Sequence, residues 1–142
     1  MNKPAQQPSL KGRALRLLSQ REHSRLELER KLAEHETEPG QLAKALDELQ
    51  ARGFISEERV IESVIHRRAG KLGTARVKQE LAAKGLSGEA VAAAMDSLRS
   101  TELERAREVW RRKFGEPATE AKEKARQIRF LVSRGFAAEV VR

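Results

Sequence analysis

The chain repeats itself three times. Displaced by 50 positions, Val60 falls on Trp110, Val64 on Phe114, Ala75-Arg76 on Ala125-Arg126 and Leu81 on Leu131, with no gap. The register continues with Lys84-Gly85-Leu86 on Arg134-Gly135-Phe136, then Glu89 on Glu139 and Val91 on Val141. A third copy lies upstream. Leu10 and Ala14 precede Val60 and Val64 by 50 positions, and Leu28, Leu32, Leu42, Leu46 and Leu49 precede Val77, Leu81, Val91, Met95 and Leu98 by 49. An ordered series with a single slip points to stacked units, each burying an apolar face that it could not bury alone.

Each copy resolves into three amphipathic helices. The first carries Leu10, Ala14, Leu17 and Leu18, then Val60, Ile61, Val64 and Ile65, then Leu103, Ala106, Trp110 and Phe114. These spacings form the stripe of a helix with one buried face. The second carries Leu28 and Leu32, Val77 and Leu81, and Ile128, Leu131 and Val132; the third carries Leu42, Leu46 and Leu49, then Val91, Met95 and Leu98. Punctuation agrees with this division. Ser24-Arg25-Leu26-Glu27 is a capping box. Gly53, Gly85 and Gly135 each follow a basic residue and precede an apolar one, as in a helix that ends on a left-handed glycine. Ser56 and Ser87 stand where the following helices need N-caps.

Composition supports an all-α chain: Ala, Glu, Lys, Leu and Arg fill 84 of the 142 positions, while Val, Ile and Thr fill only 16. The expected architecture is an elongated array of three tandem three-helix repeats, at 9–53, 56–100 and 102–142, behind a disordered tail at 1–8. The last repeat is truncated: in register its third helix should run to about position 149, so a slightly longer natural chain is expected. With no cysteine there is no disulfide framework, thiolate metal site or cysteine nucleophile. The longest apolar run, Ala90 to Met95, is too short to span a membrane, and the N-terminus lacks the apolar stretch of a secretory signal. A soluble, cytoplasmic, monomeric protein is expected.

At this point the motifs match a known pattern. Ala14-Leu15-Arg16-Leu17-Leu18, Arg21-Glu22-His23-Ser24-Arg25-Leu26-Glu27-Leu28 and Lys31-Leu32 resemble the opening of the bacterial RecX family. The segment from Gly73-Thr74-Ala75-Arg76-Val77-Lys78 to Leu81-Ala82-Ala83-Lys84-Gly85-Leu86 resembles its central motif. Lys113-Phe114-Gly115 and Phe130-Leu131-Val132-Ser133-Arg134-Gly135-Phe136 resemble its C-terminal part. The first helix of the second repeat departs from the family pattern, with Val60-Ile61 and Val64 where a Phe-Ala pair and a later aromatic are usual. The resemblance implies a regulator of the RecA recombinase. Such proteins bind the RecA filament on single-stranded DNA and curb its ATPase, strand exchange and co-protease activity, and so act in recombination, DNA repair and the SOS response.

The net charge of +8 independently points to an anionic partner. From Ser63 through Gln79 there is no acid but five bases: Arg67, Arg68, Lys71, Arg76 and Lys78. Gly70 and Gly73 flank the turn there, which would let backbone approach a phosphate. A second cluster is Arg105, Arg107, Arg111, Arg112 and Lys113; a third is Lys122, Lys124, Arg126, Arg129 and Arg134. Arg76 and Arg126 are repeat equivalents, as are Lys84 and Arg134, a periodicity suited to a polymeric partner. The candidate partner- or DNA-binding set is therefore Arg67, Arg68, Lys71, Arg76, Lys78, Lys84, Arg111, Arg112, Arg126, Arg129 and Arg134. The competing reading is that these are solvated helix faces that keep the protein in solution.

Other chemistries find little footing. Trp110, Phe114, Phe54 and Phe136 fall on apolar stripes or after cap glycines, so core roles are expected rather than base stacking. His23, His35 and His66 match no close metal-ligand spacing, and there is no P-loop. No catalytic residue, metal, cofactor, small-molecule substrate or membrane association is expected. The alternative function is a nucleic-acid-binding helical module acting without a recombinase.

Overall fold

The computed structural model describes residues 7–141. Positions 1–6, most of the expected tail, and position 142 lie outside the described residues. Among the described residues every regular element is helical: α1 (Leu10–Gln20), α2 (Arg25–Leu32) with a 3-10 turn (Ala33–His35), α3 (Gln41–Ala51), α4 (Glu57–Arg68), α5 (Thr74–Ala83), α6 (Glu89–Arg99), α7 (Glu102–Lys113), α8 (Ala121–Ser133) and α9 (Ala138–Val141). The chain divides into two compact units, Met1–Val60 and Ile61–Arg142.

In the first unit, α1, α2 and α3 pack on one another. Their apolar stripes supply one core of Leu10, Ala14, Leu28, Leu32, Leu42, Leu46, Leu49 and Ile55. The helix starts are capped by side chains. Gly12 N–H donates to Ser9 Oγ at 2.9 Å. The capping box closes in both directions, with Glu27 N–H on Ser24 Oγ at 3.2 Å and Ser24 N–H on Glu27 Oε1 at 3.1 Å. Beside it His23 is buried, with Nδ1 3.0 Å from the Arg21 carbonyl and Nε2 2.9 Å from Lys31 Nζ. An ammonium can only donate, so Nε2 accepts and Nδ1 carries the proton. Burial holds the His23 pKa below the usual histidine value, against the opposing pull of that carbonyl hydrogen bond, and nearby Arg21 and Lys31 lower it further.

In the second unit, α5 packs on α6, α6 meets α7, and α7, α8 and α9 pack together. Val64, Val77, Leu81, Leu86, Val91, Met95 and Leu98 are buried. Ala106, Leu131 and Phe136 form a further small core, with Val109, Trp110 and Phe130 partly buried against it. The glycine signals hold. Gly53, Gly85 and Gly135 have φ of 82°, 79° and 93°. In each case the next residue donates back into the helix: Phe54 to Leu49 O, Leu86 to Leu81 O and Phe136 to Leu131 O, at 2.9–3.2 Å. Ser56 caps α4 through Arg59 N–H at 3.3 Å.

Some local expectations are corrected. Ser87 is not the N-cap of α6; Gly88, with φ 93°, takes that place and has no side chain to offer. Phe54 is exposed, because the chain leaving Gly53 turns Ile55 inward instead. Leu103 and Val132 are exposed as well. The buried side of α7 is centred on Glu102 and Ala106, one turn apart, and that of α8 on Gln127 and Leu131. Leu103 and Val132 each sit one residue, about 100°, off those faces. Trp110 and Phe114 are half-buried. Trp110 Nε1–H donates to Gln127 Oε1 at 2.9 Å, and Phe114 meets Phe130 edge-on at 5.4 Å between ring centres.

Candidate functional site

All the candidate cations lie in the second unit or on the part of α4 that enters it, and their positions follow from how its helices meet. The N-terminus of α5 is set against the C-terminus of α8. Gly73 N–H donates to Arg134 O at 2.8 Å and Ala75 N–H to Gly135 O at 3.3 Å. The Arg76 guanidinium donates to Ser133 O at 3.2 Å. Amides left over at one helix start thus satisfy carbonyls left over at another helix end. The approach is close enough to require glycine. A Cβ on Gly73 would come within 3.0 Å of the Gly135 and Phe136 backbone, and one on Gly135 would meet Arg76.

Two charged residues of α7 seal this junction. Glu102 is buried and accepts the Thr74 N–H at 2.8 Å, placing a carboxylate at the positive end of α5. Arg105 donates to the carbonyls of Ala69, Leu72 and Leu98 and to Thr74 Oγ1, at 2.7–3.2 Å. Its guanidinium also stands 6.0 Å from the centre of the Phe136 ring. Desolvation pulls the Arg105 pKa down while Glu102 pushes it up; so basic a group stays charged. Two sequence expectations are corrected here. Arg105 is turned inward and is not part of a surface cluster. The amides of Gly73, Thr74 and Ala75 are all taken, so the Gly73 end of this turn does not receive a phosphate on its backbone.

The predicted cations separate by what they touch. Arg68 is half-buried and pairs with Glu80 at 3.3 Å. Arg111 and Arg112 share Glu108 at 3.0 and 3.5 Å, and Arg126 reaches Glu123 at 3.5 Å. Lys84 is half-buried at the C-cap of α5. Arg67, Lys71, Lys78 and Arg129 are exposed and make no ion pair among the described residues. Arg76 and Arg134 also lack a carboxylate partner, and the junction bonds Arg76 to the carbonyl of the residue before Arg134. Arg134 lies over the Phe130 ring, its Cζ 4.7 Å from the centre. Lys113, at the end of α7, approaches the same ring at 5.4 Å. Lys113 is absent from the predicted binding set, and its nearness to Arg134 across 21 positions leaves no local trace in the sequence. Among the described residues no three histidine, aspartate or glutamate side chains gather to hold a metal. No helix there is long and apolar enough to cross a membrane.

Comparison with known proteins gives this arrangement its context. Family models for the first, second and third three-helix domains of RecX match residues 11–49, 56–95 and 100–142. The chain is 58% identical over 141 residues to the regulatory protein RecX of Leptothrix cholodnii, covering 99% of this chain and 88% of that one. The chain belongs to the RecX family. The regulatory protein RecX of Ralstonia nicotianae is 46% identical, over 97% of this chain and 87% of its own. In fold, this RecX-family chain is similar to a crystal structure of regulatory protein RecX (TM-score 0.72, 20% identity, covering 92% of this chain and 68% of that one). It is equally similar to that of RecX from Lactobacillus salivarius, with TM-score 0.71 and 18% identity over 93% and 89% of the two chains. The family models thus describe three tandem three-helix domains along the chain.

Proposed function

We propose that this chain is a non-enzymatic regulator that binds the RecA filament on single-stranded DNA and slows it, lowering ATP turnover, strand exchange and co-protease activity. It would thereby regulate recombination and DNA repair in the cytoplasm, acting as a monomer. The observation that carries this reading is the 58% identity, over 99% of the chain, to a protein named as a regulatory protein RecX. Supporting it physically, the second unit presents cations from α4, α5, α7 and α8 that have no acidic partner of their own among the described residues. Such a surface suits a partner that is itself a repeating polyanion or is coated by one. Occupying the filament in this way impedes the protomer movements that accompany ATP turnover.

The test is the single-stranded-DNA-dependent ATPase of RecA from the same organism, followed as this protein is titrated in. The expected result is a fall in rate at protein well below the RecA concentration. An unchanged rate at excess protein overturns the reading and leaves a nucleic-acid-binding module without a recombinase partner.

A further inference from the structure

We infer that the junction of α5, α7 and α8 is a binding site for the phosphodiester backbone of single-stranded DNA, formed by Arg76, Lys113 and Arg134 around Phe130. The inference rests on the functional reading above and deepens it, by naming which cations meet DNA rather than protein.

Arg76 stands in the first turn of α5, Lys113 ends α7 and Arg134 is the C-cap of α8. Arg134 and Lys113 are measured from the same ring centre, at 4.7 and 5.4 Å, so their charges lie at most about 10 Å apart, within one Debye length at 0.1 M salt. Arg76 is anchored on the carbonyl of Ser133, the residue before Arg134. All three are exposed, and none pairs with a carboxylate among the described residues. Like charges as close as Lys113 and Arg134 repel one another, and that repulsion is relieved when an anion enters.

The anion assigned is phosphate, because on the functional reading above the partner carries a single strand of DNA with one phosphate per nucleotide. Arg134 Cζ stands 4.7 Å from the Phe130 ring centre, and a guanidinium forks onto two phosphate oxygens. The lysine supplies a compact second charge for a neighbouring phosphate. Consecutive phosphates along one strand have this order of spacing. The site is also held in advance. Glu102, Arg105 and the Gly73–Gly135 contact fix the start of α5 and the end of α8, on which Arg76 and Arg134 stand. Little ordering therefore remains to oppose binding.

The test uses the full chain and a 5′-labelled oligo-dT strand, with fluorescence anisotropy read across a salt series. The double variant K113Q/R134Q is compared with R16Q/R52Q, which removes the same charge from two exposed positions of the first unit. Trp110 fluorescence during urea unfolding verifies that both remain folded. Each single-strand phosphate contact contributes about 0.7 to the slope of log affinity against log salt. The expected result is a slope smaller by about 1.4 and an affinity at least about tenfold lower at 50 mM salt for K113Q/R134Q only. Equal slopes and affinities for the two variants overturn the inference, as does wild-type protein that binds only a duplex of the same sequence or no DNA. The RecA ATPase separates the two levels. If wild-type protein slows RecA while K113Q/R134Q binds oligo-dT normally, the site falls and the functional reading stands. If the slope changes as expected while RecA is unaffected, the site stands and the functional reading falls.

Discussion

Replacing Gly73 with alanine tests whether the α5–α8 junction is what makes the second unit rigid. Gly73 has φ −76° and ψ 167°, values open to any residue, so the substitution introduces no backbone strain. All of its cost must come from the space the methyl group needs. That space holds the backbone of Gly135 and the Phe136 amide, inside 3.0 Å, and backbone cannot step aside as a flexible side chain would. Overpacking of this kind costs about 1–3 kcal/mol. If the helix ends separate instead, the bonds from Gly73 to Arg134 O and from Ala75 to Gly135 O are lost, each worth about 1 kcal/mol. Reduced freedom of the unfolded chain returns about 0.4–1 kcal/mol. The net expectation on either route is a loss of about 1–2 kcal/mol. With a urea slope of about 2 kcal/mol per molar, the midpoint falls by about 0.5–1 M. Trp110, the chain's single tryptophan, lies in this unit and reports its unfolding directly. Gly70→Ala is the internal control, since nothing lies within 4 Å of a Cβ there and φ is not positive. Its midpoint should stay within about 0.3 M of wild type. Equal midpoints for Gly73→Ala and Gly70→Ala would refute the reasoning.

Three further outcomes are expected. Arg105→Lys keeps the charge but cannot reach carbonyls in three directions, so it should cost about 1–3 kcal/mol in the same tryptophan-detected unfolding; a loss below about 0.5 kcal/mol would mean that the charge alone suffices. Ser24→Ala removes one arm of the capping box and should cost about 1 kcal/mol by far-ultraviolet circular dichroism, with the tryptophan transition unmoved. His23 is neutral in the folded first unit and protonates more readily once unfolded. Its contribution is complete above the ordinary histidine value of 6.5 and is lost as pH falls below it, at no more than about 1.4 kcal/mol per pH unit. The first unit should thus lose stability between pH 7 and 5.5 in urea melts, equally in wild type and His66→Gln, whereas a flat profile over that range would contradict the buried neutral imidazole.

What the sequence made legible was mostly local. The capping box and the left-handed glycines each depend on residues a few positions apart, and the structure shows them where the pattern places them; the repeat register was legible because the same local pattern recurs about every 50 positions. Errors arose where a tertiary partner decided the outcome. Leu103 lies on a good helical stripe, yet α7 turns Glu102 inward instead, because the amide of Thr74, 28 positions away, requires an acceptor. Arg105 reads as one more surface cation until its acceptors, up to 36 positions upstream, are seen. Gly73 reads as a turn glycine, but its role is to admit the backbone of Gly135. Charge was legible as an amount and not as an arrangement. Spacing along the chain grouped Arg111 and Arg112 with Lys113, whereas the fold gives the first two to Glu108 and brings the third to Phe130 beside Arg134.

The most direct test of the regulatory role is retention of this protein on RecA filaments assembled on surface-bound oligo-dT with a slowly hydrolysed ATP analogue, at 150 mM salt. DNA alone, under the same conditions, is the comparison. A filament regulator should be held much more strongly by the filament than by bare DNA, and should dissociate when the filament is disassembled. Equal retention on the two surfaces would contradict the account and identify the basic second unit as a general DNA-binding surface.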